Sequence, residues 1–185
     1  MAKNREIRNV AIVGTGVIGA SWAALYLARG LSVVATDPAP NAEANLRRYI
    51  DAAWKDLTAL GISPNGSRDH LRFTLDLKEA AADADLVQEN GPERKDFKVK
   101  LFADMDAATP KDSIIASSSS GLTMSVMQSA CKYPERCVMA TLLILRTWFH
   151  WSRLSLAQKH HLKLLNGPSR STPRSVKGRS TCGRK

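Results

Sequence analysis

Val10-Ala11-Ile12-Val13-Gly14-Thr15-Gly16-Val17-Ile18-Gly19 is the stretch on which the reading of this 185-residue chain turns. Its first four residues are a short apolar, β-branched run, the composition of a strand buried on both faces of a parallel sheet. The rest spells GxGxxG. That spacing alone is weak, because glycine-rich turns are common, and its neighbours give it meaning. Ala20 to Arg29 reads as a helix stopped by Gly30, and Leu31 to Asp37 as a second strand ending in a carboxylate 18 residues after Gly19. Strand, glycine turn, helix, strand and terminal acid together form the pattern that binds a dinucleotide. Gly14 permits the tight turn, Gly16 lets the backbone approach a pyrophosphate, and Gly19 lets helix and strand pack closely. Thr15, Val17 and Ile18 complete the loop, and the helix N-terminus offers its amides and positive dipole end to the phosphates. Asp37 accepts hydrogen bonds from the adenosine ribose and repels a 2'-phosphate. No Arg directly follows it, so the expected cofactor is NAD rather than NADP. Arg47 and Arg48 lie a helix-length away and read as solvated surface charges.

Outward from this unit the alternation continues. A long amphipathic helix is expected from Asn41 to Leu60, followed by a strand at Leu71 to Leu75 and a short helix at Lys78 to Ala82. Further strands are expected at Asp85 to Gln88, Ser113 to Ala116 and Cys137 to Met139, with a helix at Glu93 to Ala107. This order makes an α/β fold, a doubly wound parallel sheet of Rossmann type. Two polar stretches fall at the carboxyl edge of the sheet, where such folds collect ligands. They are Gln88 to Arg94 and Ser117 to Ser120, and by themselves both read equally well as polar loops.

Composition divides the chain. It carries 27 Lys and Arg against 17 Asp and Glu. All 17 acids and 17 of the bases lie in residues 1–140, whereas residues 141–185 hold 10 bases and no acid. The neutral part suits one domain with a real core plus an appendage, not a large two-domain enzyme. No apolar run reaches the roughly 18 residues of a membrane span. Met1 to Arg8 is polar and leads straight into a strand, so no secretory segment is expected and the cytoplasm is the expected location. Cys131, Cys137 and Cys182 have no CxxC spacing and read as reduced thiols. His150, His160 and His161 have no accompanying carboxylate, and no metal site is assigned.

Four segments now carry a family resemblance: AIVGTGVIGASWAALYLARGLSVVATDPAP, VQENGPERKDFK, IIASSSSGL and YPERCVM. In order, over residues 6 to about 140, they resemble the NAD-binding N-terminal domain of the L-3-hydroxyacyl-CoA dehydrogenase family, and within it the branch that oxidises L-carnitine. The resemblance implies an NAD-binding domain over 1–140, a small-molecule 3-hydroxy substrate, and a helical second domain that completes the pocket and forms a homodimer. It assigns Asp37 to the ribose, Glu93 and Lys98 to the nicotinamide and substrate side, and Ser120 to the substrate hydroxyl as a catalytic residue. It also implies a following Gly-His-Pro-Phe-Asn-Pro motif, whose histidine is the general base, and a glutamate that orients it.

The chain departs from the family there. After Met139 it reads Ala140-Thr141-Leu142-Leu143-Ile144-Leu145, so Thr141 stands at the histidine's place. The genetic code suggests why. If one base is lost in the glycine codon, the present codons from Thr141 to Leu145 allow His-Pro-Phe-Asn-Pro, and those from Ser152 to Ser155 allow Val-Glu-Val-Val. Residues 141–185 are therefore expected to be an out-of-frame, largely disordered basic tail, with the family's second domain missing. The expected function is that of an NAD-dependent 3-hydroxy dehydrogenase, L-carnitine to 3-dehydrocarnitine, reduced here to an NAD-binding fragment with little or no turnover. Two alternatives stay open: a 3-hydroxyacyl-CoA dehydrogenase of fatty acid metabolism, and a non-catalytic NAD-binding protein with a nucleic-acid-binding arm. Nucleic acid and membrane are not the expected partners.

Overall fold

β-branched and apolar residues at Asn9–Val13 form β1, the centre of a six-stranded sheet in the computed structural model, which describes residues 6–141. The other strands are β2 (Ser32–Thr36), β3 (Leu71–Thr74), β4 (Leu86–Glu89), β5 (Ile114–Ser117) and β6 (Cys137–Met139). Every pair is parallel and the order is β3-β2-β1-β4-β5-β6. The order reverses between β1 and β4, which opens a crevice at the carboxyl ends of those strands. The doubly wound Rossmann arrangement expected from the sequence is the fold of the described residues.

The helices are α1 (Val17–Ala28), α2 (Ala42–Leu60), α3 (Leu77–Ala81), α4 (Lys95–Ala108) and α5 (Met124–Met127). α1 is apolar nearly all round, with residues Gly19 to Leu25 buried, as befits a helix enclosed between the sheet and α2. α2 is amphipathic, burying Leu46, Ile50 and Leu57 and leaving its charges outside. On the opposite face Phe102 and Met105 of α4 and Ala81 of α3 pack with Ala11, Val13, Val87 and Ile115. Phe102 and Met105 are fully buried, each side chain contributing roughly 1.5–3 kcal/mol by leaving water.

Most element boundaries shift from expectation by one to three residues, Ser117 for instance ending β5 instead of opening a loop, and at three of them a polar group is used locally. Asp85 is not in β4: its carboxylate accepts the Arg8 and Asn9 amides, both at 2.9 Å, and pins the start of β1. Glu89, expected in a loop, is instead the last residue of β4 and fully buried. α4 begins at Lys95 rather than Glu93, because Arg94 is extended and Glu93 is engaged elsewhere. α5 and the 3-10 turn that follows it had no periodic signal, being only 4 and 3 residues long. Among the described residues no helix is long and apolar enough to cross a membrane. Apart from Thr141, the expected tail, with its histidines and Cys182, lies outside the described residues. Cys131 and Cys137 are free thiols.

Candidate functional site

The glycine turn is shaped by what a side chain would strike. Gly14 has φ +87°, and a β-carbon there would lie 2.9 Å from the Asn90 carbonyl carbon. At Gly19 a β-carbon would lie 1.9 Å from the Gly14 carbonyl oxygen, so α1 sits directly on the turn that precedes it. Gly16 differs, since a β-carbon there would meet nothing within 4 Å. The space beside it belongs to an open cleft of about 580 Å³ bounded by Thr15 to Val17, Asp37 and the α2 residues Asn45, Arg48 and Tyr49. Backbone exposed at a helix N-terminus, beside space that a side chain would invade, fits a bound diphosphate.

Asp37 sits at the end of β2, on the cleft wall. Its Oδ2 accepts the Thr15 amide at 2.7 Å and the Thr15 hydroxyl at 3.1 Å, and its Oδ1 accepts the Ala39 amide at 2.9 Å. The carboxylate is thus oriented before any ligand arrives. Arg47 and Arg48, read together as solvated charges, part company here. Arg47 turns outward to Glu43 at 2.8 Å, whereas Arg48 lines the cleft. The 100° rotation per residue along a helix separates them, and the sequence distance from Asp37 hid the second.

The other side of the carboxyl edge is built from side chains. Lys98, on α4, is 1% exposed and donates to both oxygens of Glu89, itself fully buried, at 2.9 and 2.8 Å. Glu89 also accepts the Gly91 amide and the Ser117 hydroxyl, both at 2.6 Å. Lys98 approaches Glu93 at 3.6 Å. The structure therefore sets Lys98 beneath the edge, with Glu93 between it and solvent. Glu93 accepts the Gly121 amide at 2.8 Å, the Leu122 amide at 3.1 Å and the Ser119 hydroxyl, clamping the turn that carries Ser120. Partial desolvation works against its ionisation, but the Ser119 hydroxyl, the two amides and the Lys98 charge together hold it below the ordinary carboxylate range.

The four serines have four different places. Ser117 binds Glu89, Ser119 binds Glu93, and Ser118 receives the Trp22 indole at 3.0 Å and the Gln88 amide at 2.9 Å while donating to Asn90 at 2.9 Å. Ser120 alone is exposed. β6 runs beside β5, so Ala140 donates to the Ser117 carbonyl at 2.8 Å and the Thr141 hydroxyl to the Ser119 carbonyl at 3.3 Å. Position 141 is thereby brought next to the serine turn. Sequence reasoning does not find Glu89 as a hub; the available signal is an ionisable residue directly following the run Leu86-Val87-Gln88. No group of three or more metal-ligating side chains converges among the described residues.

The order of the sheet, the glycine turn and the acid at the end of β2 define a Rossmann-type dinucleotide-binding domain. The family described as "3-hydroxyacyl-CoA dehydrogenase, NAD binding domain" matches residues 9–141, and the chain belongs to that family. It is similar to the L-carnitine dehydrogenase of Bacillus cereus, 49% identical over 140 residues, which cover 76% of this chain and 43% of the relative. The L-carnitine dehydrogenase of Streptomyces griseus is 52% identical over 134 residues, 72% of this chain and 40% of the relative. A crystal structure of 5-formyl-3-hydroxy-2-methylpyridine 4-carboxylic acid 5-dehydrogenase, an NAD+ dependent dismutase, superposes with a TM-score of 0.67 at 39% identity. That match covers 75% of this chain and 45% of the other. The chain thus spans less than half the length of these relatives, and the cofactor of the matched domain is NAD.

Proposed function

We propose that this chain is the NAD-binding part of a cytoplasmic L-3-hydroxy dehydrogenase whose substrate is L-carnitine, and that as written it binds NAD with little or no turnover. Thr141 carries the reading. Its hydroxyl lies 3.3 Å from the Ser119 carbonyl, beside the turn of Ser120, and it has no nitrogen able to take a proton. Bound NAD supplies a hydride acceptor. Gly14, Thr15, Gly16, Val17, Ile18 and Gly19 form the cradle for its diphosphate, and Asp37 holds its ribose. Glu93, with Lys98 beneath it, keeps the serine turn in place, and Ser120 orients the substrate hydroxyl. A serine can orient that hydroxyl but is a poor proton acceptor near neutral pH, so removal of the proton needs the base that the family resemblance expects at position 141.

Residues 141–185 are read as an out-of-frame segment. The zero acid count supports this, as does a family match that stops at residue 141. Sequencing the coding DNA tests it: codons that fail to spell the histidine motif in the shifted frame would sink the reading. Calorimetry with NAD and an assay for carnitine-dependent NADH formation test the rest on the 185-residue chain, with binding but no turnover expected. A frame-restored chain is expected to oxidise L-carnitine and to assemble as a homodimer. If it oxidises 3-hydroxyacyl-CoA instead, the substrate assignment fails while the family stands.

A further inference from the structure

Valence arithmetic in the cleft leaves Arg48 with the most unspent donors. Asp37 Oδ2 already accepts two hydrogen bonds from Thr15, and Oδ1 accepts one from Ala39. A carboxylate oxygen has about two in-plane lone pairs, so Asp37 has room for about one ribose hydroxyl. The α2 residues that line the same cleft are the other protein groups available to the remaining ribose oxygens. There the Tyr49 hydroxyl is engaged with Ser21 at 2.7 Å, and the Asn45 oxygen accepts from Arg48 at 3.1 Å, leaving the Asn45 amide as a neutral donor beside the charged Arg48. Arg48 spends a single N–H on that bond, and unlike Arg47 it pairs with no carboxylate among the described residues. A guanidinium carries five donors.

We propose that Arg48 is a second cofactor-specificity residue: its guanidinium donates to the adenosine ribose of NAD, and it stands ready to pair a 2'-phosphate. Refusal of NADP then rests on the negative charge of Asp37 and not on any lack of a basic partner. This inference rests on assigning the cleft to the adenosine half of the dinucleotide. A guanidinium binds phosphate through paired charge-assisted hydrogen bonds, stronger than those it makes to a hydroxyl. Removing it should therefore cost a 2'-phosphorylated cofactor much more than NAD.

The test is a double-substitution cycle on the full chain, with dissociation constants for NAD, NADP and the fragment 2',5'-ADP measured by calorimetry. Asp37→Asn removes the charge with little change of shape, and Arg48→Met keeps the aliphatic stem. Asp37→Asn is expected to shift the NADP to NAD affinity ratio toward NADP by about tenfold or more. Adding Arg48→Met should weaken NADP and 2',5'-ADP by about tenfold while weakening NAD less than about threefold. Equal losses for both cofactors, or none, would overturn the assignment. Failure of the unsubstituted chain to bind NAD would overturn the cofactor reading beneath it. Arg48 is exposed, and thermal melts of each variant separate lost binding from lost folding.

Discussion

The carboxyl edge of the sheet holds two neighbouring regions built on opposite principles. Around Gly14 to Gly19 the structure is made by leaving side chains out: a turn of positive φ, a helix seated on backbone, and open space beside Gly16. Around Glu89, Lys98 and Ser117 to Ser119 it is made by burying charges and hydroxyls and satisfying them with one another. The first region is the cradle proposed for a diphosphate. The second fixes the turn that presents Ser120. Backbone recognition needs room, whereas positioning a hydroxyl needs rigidity, and a buried ionic network supplies rigidity at the cost of desolvation.

The largest effect is expected at the buried ion pair. Lys98→Met leaves Glu89 buried without its counter-charge and is expected to cost about 3–5 kcal/mol in chemical denaturation. Adding Glu89→Gln should return most of the loss, and no recovery would mean that the lysine acts mainly through packing. On the other side, Gly19→Ala places a β-carbon 1.9 Å from the Gly14 oxygen. It should cost about 1–3 kcal/mol or more, since rigid backbone must move.

Gly16→Ala meets open space, so its stability should stay within about 0.5 kcal/mol of the parent. NAD affinity should nevertheless fall by about fivefold or more, on the order of 1 kcal/mol. Calorimetry and a melt on the same sample check both, and unchanged affinity would remove Gly16 from the diphosphate cradle. The smallest effect concerns pH. Desolvation raises the Glu93 pKa, but the bonds from Ser119, Gly121 and Leu122 and the Lys98 charge outweigh it, so the folded value lies below the unfolded one. Its stabilisation is thus complete above the unfolded pKa of about 4.3 and is lost as pH falls through the lower folded value. Amide exchange at Gly121 and Leu122 should show protection falling with acid in the parent and little pH response in Glu93→Gln.

The glycine half was legible in the sequence because a backbone that must approach other atoms closely tolerates only glycine at given places, and spacing records those places. β1 to β6 were legible for a similar reason, as apolar strand runs separated by helical ones. The Glu89 hub was not. Glu89, Asn90 and the four serines read as loop, since polar residues carry no signal of which groups will lie across from them. The pairing of Ile114–Ser117 with Leu86–Glu89 brings them together across 28 residues of chain.

The amino-acid order alone settles the strand and helix alternation, the glycine turn, the acid that follows β2 and the break in composition near residue 140. Those properties are local: each follows from what one residue can do to its own backbone or from the summed charge of a stretch. Only the tertiary structure decided that Ser120 is the exposed serine, that Lys98 lies beneath the edge, that Arg48 faces the cleft, and that Thr141 stands beside the serine turn. Each of these depends on strand register or helix rotation between residues far apart in the chain, which packing alone specifies.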